Sequence, residues 1–147
     1  MITIYTIGFT KKTALQFFEL LRKNNVRKLV DVRISNSSQL AGFAKGQDLS
    51  YFMQEICGAE YEHLTDLAPT EELLKDYKSK KVTWGQYEQI FKHILQERHI
   101  ADRYDAKQFD NCCLLCSEVT PENCHRRLVA EYLQKHSNEA VRIIHLK

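Results

Sequence analysis

The chain has 147 residues, 44% of them hydrophobic and 27% charged, with a formal net charge of +2. That length fits one domain able to bury a core without metal or disulfide staples, and so small a charge argues against wholesale polyanion binding while leaving room for local basic clusters. No apolar stretch approaches the roughly 18 residues of a membrane span.

Residues 2–7, stopped by Gly8, read as a strand. The N-terminal stretch Met1 to Tyr5 lacks the basic head and cleavage site of a signal peptide. With no export signal, the five cysteines are expected to be free thiols and the protein cytoplasmic. Thr13 opens a helix: Gln16 completes a capping box, and Leu15, Phe18 and Leu21 recur at helical spacing. Residues 28–34 read as a second strand, followed over 35–48 by a polar segment long enough to be a functional loop. A helix over 49–57 presents Leu49, Phe52, Met53 and Ile56 on one face and stops at Gly58.

A short strand at 61–64 and a charged helix at 70–79 come next. Thr83 and Gln86 form a second capping box, opening a helix whose Tyr87, Ile90, Phe91, Ile94 and Leu95 make its buried stripe. Residues 112–116 read as a buried strand. Leu128, Val129, Tyr132 and Leu133 mark the last helix, and 141–146 the last strand. Strands separated by helices predict a single α/β domain over 1–147, with a mainly parallel sheet of about five strands and helices on both faces. Ligands of such sheets bind beyond the carboxyl ends of the strands. Gly8, Asp31-Val32-Arg33 and Cys116-Ser117-Glu118 all fall at ends of that kind.

Asp31 and Arg33 share one face of their predicted strand. A guanidinium held by a carboxylate there suits phosphate or carboxylate binding, or else closes the core edge as an ion pair. Cys124 falls at the start of the last helix, with Thr120-Pro121 or Asn123 as its cap. Helix starts lower thiol pKa values and bind anions, and His125 and Arg126 would strengthen both effects. Cys124 is then a nucleophile, a redox thiol or a buried packing thiol. Glu118 continues the parity of Cys116, placing a carboxylate beside a thiol for proton transfer, or else for accepting loop amides.

Zinc held by Cys113, Cys116, Cys124 and His125 conflicts with strand geometry, because residues three apart point to opposite faces. Cys112 and Cys116 share a face but stand about 13 Å apart, too far for a disulfide. No metal and no cofactor is therefore expected. Tyr5 can reach the rim from the first strand or pack in the core, and Ser37 belongs to a donor-rich loop able to fold over a ligand. Trp84 and Tyr87 read as packing at a helix start rather than as a base-stacking platform.

With these residues in view, the chain resembles a bacterial and archaeal family catalogued as domain of unknown function 488. The resemblance is carried by Ile4-Tyr5-Thr6-Ile7-Gly8, Asp31-Val32-Arg33, Cys116-Ser117-Glu118, Cys124-His125-Arg126 and a closing strand near His145. It departs after Arg33, where relatives carry a proline near Asn36, and around 61–69. It implies the fold and the site, and no reaction.

The residues together predict a small intracellular enzyme acting on an anionic substrate: phosphorylated, nucleotide-like or nucleic acid. Arg33 and Arg126, with His125, Tyr5 and Ser37, are the binding candidates. Asp31, Glu118, Cys116 and Cys124 are the catalytic ones. The alternatives are a non-catalytic module binding nucleic acid or protein, and a thiol-based redox or metal sensor. Partners are an anionic small molecule or nucleic acid and not a membrane, and nothing specifies an oligomer.

Overall fold

The computed structural model describes residues 1–36, 42–117 and 122–147. Five strands form one sheet: β1 (Ile2–Gly8), β2 (Lys28–Asp31), β3 (Glu60–His63), β4 (Cys112–Cys116) and β5 (Val141–His145). All pairings are parallel, in the order β3-β2-β4-β1-β5. The expected single α/β architecture is what folds. Central β4 is buried along its whole length, which is why Cys-Cys-Leu-Leu-Cys carries no polar alternation. Edge strand β3 instead exposes Glu60 and Glu62, charges that suit an unpaired edge.

Among the described residues six α-helices cover the faces: α1 (Ala14–Lys23), α2 (Gly46–Phe52), α3 (Glu71–Lys78), α4 (Trp84–Glu97), the short α5 (Ile100–Arg103) and α6 (His125–Lys135). Both predicted capping boxes form, at Thr13 with Gln16 and at Thr83 with Gln86. The buried faces are narrower than the periodicity suggests. Leu15, Ile56 and Ile90 are exposed, and Phe17 joins Phe18 and Leu21 under α1. The second helix starts earlier than expected, at Gly46, and runs into a π turn over Met53–Cys57 before left-handed Gly58 (φ 60°) ends it. Here glycine avoids the Cβ strain of a positive φ. β2 stops at Asp31, so Arg33 lies beyond the strand rather than on it.

Strand parity divides the core in two. Tyr5, Ile7, Leu29, Cys113 and Leu115 pack with Phe17, Phe18 and Leu21 of α1, and with Leu49 and Met53. Ile4, Val30, Cys112, Leu114 and Cys116 pack on the other face, with Leu73 of α3, Phe91 of α4 and Leu128 of α6. Cys113 and Cys116 thus point to opposite faces, as the strand period requires. The chain leaves β1 for α1 on one face and leaves β4 for α6 on the other, although β1 and β4 are neighbours with Gly8 opposite Cys116. That reversal is a topological switch point, where such sheets open a crevice at their carboxyl end. No helix among the described residues is long and apolar enough to cross a membrane.

Candidate functional site

Beyond β2 the chain folds back on itself. Arg33 donates to Asp31 through its backbone N–H (3.1 Å to Oδ1), Nε (2.9 Å to Oδ1) and Nη2 (2.7 Å to Oδ2). Nη2 also donates to the Ala44 carbonyl at 2.7 Å, and the guanidinium carbon stands 5.2 Å from the Phe9 ring centroid. Asp31 is fully buried and Arg33 nearly so. Burial opposes the Arg33 charge, but the hydrogen bonds and charge of Asp31 more than offset it, so its pKa is raised. One guanidinium nitrogen, Nη1, is buried and has no hydrogen-bond partner among the described residues.

Asp31 is held from the other side by Tyr61 of β3, whose hydroxyl donates to Oδ2 at 2.5 Å and accepts from Asn36 Nδ2 at 3.1 Å. Burial and then the Asp31 hydrogen bond push the Tyr61 phenol far above its ordinary value, so it remains a donor. Asn36 lies on Gly46, whose N–H donates to the Asn36 carbonyl at 2.8 Å. A Cβ on Gly46 would meet Asn36 Cγ at 2.6 Å and Nδ2 closer still. Gly46→Ala is therefore expected to cost about 1–3 kcal/mol through overpacking. Urea denaturation checks this, and an unchanged midpoint would show that Asn36 yields freely.

The end of β4 meets the start of α6. Cys116 Sγ lies 3.4 Å from His125 Nδ1, and His125 Nε2 lies 2.6 Å from the Val32 carbonyl. A carbonyl only accepts, so Nε2 carries a proton, and Cys116 Sγ, 3.4 Å from Nδ1 and 3.8 Å from Nε2, lies beside the ring rather than along the Nδ1 lone pair. Cys124, not Asn123, occupies the cap position of α6 and makes no side-chain cap bond. Its thiol is pushed well above the ordinary value, first by burial and then by Cys116, while His125 acts the other way. The helix-start lowering expected from sequence is outweighed by desolvation. No disulfide forms: all five cysteines are free.

These groups share a cavity of about 890 Å³. Its sheet side comprises Phe9, Arg33, Cys116, Ser117, Cys124 and His125, and its outer wall is built from Leu74, Tyr77 and Lys78 of α3 with Trp84 and Tyr87 of α4. The rings of Trp84 and Tyr87 stack at 4.8 Å and 17°, and Tyr77 leans on both. The expected packing at this helix start is present, and the same rings line the cavity. That double duty is not visible in the sequence, where residues 70–79 show mainly charge.

Of the residues singled out from sequence, Arg33, Cys116, Cys124 and His125 line the cavity, with Asp31 directly behind Arg33. Arg126 does not line it. It is fully buried with Nε 3.4 Å from Thr6 Oγ1, and its charge adds to burial in lowering Lys12 and His145. Tyr5 points into the opposite core with α1 and α2. Ser37 and Glu118 lie outside the described residues. Tyr61 and Asn36 were not picked out by sequence reasoning. Their link to Asp31 runs between strands, and no local motif records it.

A parallel α/β domain with helices on both faces and a cavity at its switch point has the doubly wound architecture. Residues 13–133 match the family described as Domain of unknown function DUF488, and the chain belongs to that family. The matched span takes in Asp31-Val32-Arg33 and both cysteine motifs, and leaves β1 and β5 outside. No curated protein and no solved structure matches the chain.

Proposed function

We propose that this protein is a small cytoplasmic enzyme acting on an anionic, phosphorylated and nucleotide-like substrate. The substrate binds in the cavity at the carboxyl end of the sheet. The observation that carries the reading is Arg33 Nη1, a buried cationic donor in a cavity wall with no hydrogen-bond partner among the described residues. Buried polar groups are normally satisfied, and one left over at a site invites a ligand acceptor. Asp31 accepts from the backbone N–H, Nε and Nη2 of Arg33 and from the Tyr61 hydroxyl, so it acts as a positioning residue that leaves Nη1 for the ligand.

The cavity volume suits a compound of nucleotide size. Trp84, Tyr77 and Tyr87 offer flat apolar surface for a planar group, while Lys78 and Lys80 add positive charge to its lining. Cys116, Cys124 and His125 gather at one side of the cavity and supply the reacting end. Five free thiols support the cytoplasmic location.

Calorimetric titration with nucleoside phosphates and inorganic phosphate tests the reading. Arg33→Lys keeps the charge that Asp31 needs, but its single ammonium cannot also serve a ligand. It is expected to weaken binding by about 10–100-fold, the equivalent of one charge-assisted hydrogen bond. Equal affinity in a folded Arg33→Lys variant would remove the anion reading. A steep fall of affinity with salt, seen only with oligonucleotides, would move the ligand class to nucleic acid.

A further inference from the structure

We infer that Cys116, Cys124 and His125 form a zinc site with its fourth position open to the cavity. The two sulfurs and one imidazole nitrogen all lie within 4.8 Å of one another. The 3.4 Å between Cys116 Sγ and His125 Nδ1 is close to the roughly 3.5 Å set by tetrahedral zinc with Zn–S near 2.3 Å and Zn–N near 2.0–2.1 Å.

Buried thiols often do no more than pack a helix on a sheet. The imidazole sets this cluster apart. Its Nε2–H is fixed on the Val32 carbonyl at 2.6 Å, the outer hydrogen bond that orients metal-binding histidines, which leaves Nδ1 as the nitrogen for the ion. The Phe91 ring packs edge-on against the imidazole at 5.7 Å and keeps its orientation.

The ligands come from the end of β4 and the first residues of α6, two elements fixed by the core, and each ligand is nearly buried. Two thiolates also match the charge of a divalent cation, which a buried site requires. Soft sulfur with imidazole selects zinc over magnesium or calcium. Three protein ligands among the described residues, with one side open to a cavity, are the pattern of catalytic rather than structural zinc. Such an ion would polarise a substrate oxygen or activate water there.

On binding, each thiol gives up one proton as its Zn–S bond forms, and His125 binds through its existing lone pair, so two protons leave per ion. Cys113 faces the opposite core, and Cys112 lies at the far end of β4. Neither completes the set.

The site is tested on the free protein, so the result is independent of the anion reading and of Arg33. Protein stripped with a chelator is titrated with Zn²⁺ by calorimetry in buffers of different ionisation enthalpy, and separately with Co²⁺. The expected result is one ion per chain, release of two protons, and cobalt spectra with thiolate charge transfer and tetrahedral d–d bands. Cys124→Ser and His125→Gln should weaken Zn²⁺ by more than the roughly 10–100-fold that loss of an outer partner costs, and Cys57→Ser should not. Circular dichroism separates loss of the site from loss of the fold. Failure of the wild-type protein to bind Zn²⁺, or undiminished binding by folded Cys124→Ser, overturns the inference.

Discussion

Asp31→Ala is expected to lower the folding free energy by about 3–5 kcal/mol, the usual consequence of leaving a buried charge without its partner. Arg33 would keep its place under Phe9 and Ala44 but lose three of the hydrogen bonds it now makes, all to Asp31. The Tyr61 hydroxyl would lose its acceptor at the same time. Equilibrium urea denaturation reads the change. A loss under 1 kcal/mol would mean that water reaches Arg33 and that the guanidinium is not held in a dry pocket. The paired variant Asp31→Ala with Arg33→Met removes both charges and should recover much of the loss, because a buried ion pair contributes little beyond its mutual compensation.

Phe91→Ala should cost a similar amount, about 3–5 kcal/mol, by opening a cavity under α4. Phe91 is fully buried in the core that joins α4 and α6 to the sheet. Its ring also packs edge-on against His125 (77° between planes). Thermal denaturation measures the stability term. Phe91→Leu, closer in volume, should lose less than about 1.5 kcal/mol. A mild Phe91→Ala phenotype would show that α4 settles onto the sheet without it.

The two variants separate what sequence could convey from what it could not. Phe91 was readable: helical spacing from Tyr87 to Leu95 marks the core side of α4, and Thr83 with Gln86 marks its start. The apolar run of β4 likewise announces a central strand. Asp31 and Arg33 were readable as a pair because a carboxylate and a guanidinium so close together at the end of an apolar run have few other uses.

Their surroundings were not. The contacts from Tyr61, Asn36 and Gly46 depend on β3 lying beside β2, a register that no local pattern encodes. Leu15 and Ile90 show the opposite failure: apolar residues at helical spacing that face solvent, because an α-helix's stripe is only as wide as the surface it covers. Cys124 shows how a correct local argument loses to burial. Its position at a helix start was anticipated, and of the readings open for it the buried one is what the fold gives. Arg126 was grouped with Arg33 from its place at a helix start on the same rim, and it lies fully buried near Thr6 and outside the cavity lining.

The central claim is that Arg33 anchors an anion in the cavity. The most direct measurement is a crystal structure of the wild-type protein grown or soaked with tungstate, a phosphate mimic whose metal is located unambiguously by anomalous scattering. An oxyanion accepting from Arg33 Nη1, with the Asp31–Arg33 pair intact, is the expected result. Tungstate bound elsewhere on the surface, with the space beside Nη1 left without an anion, would contradict it.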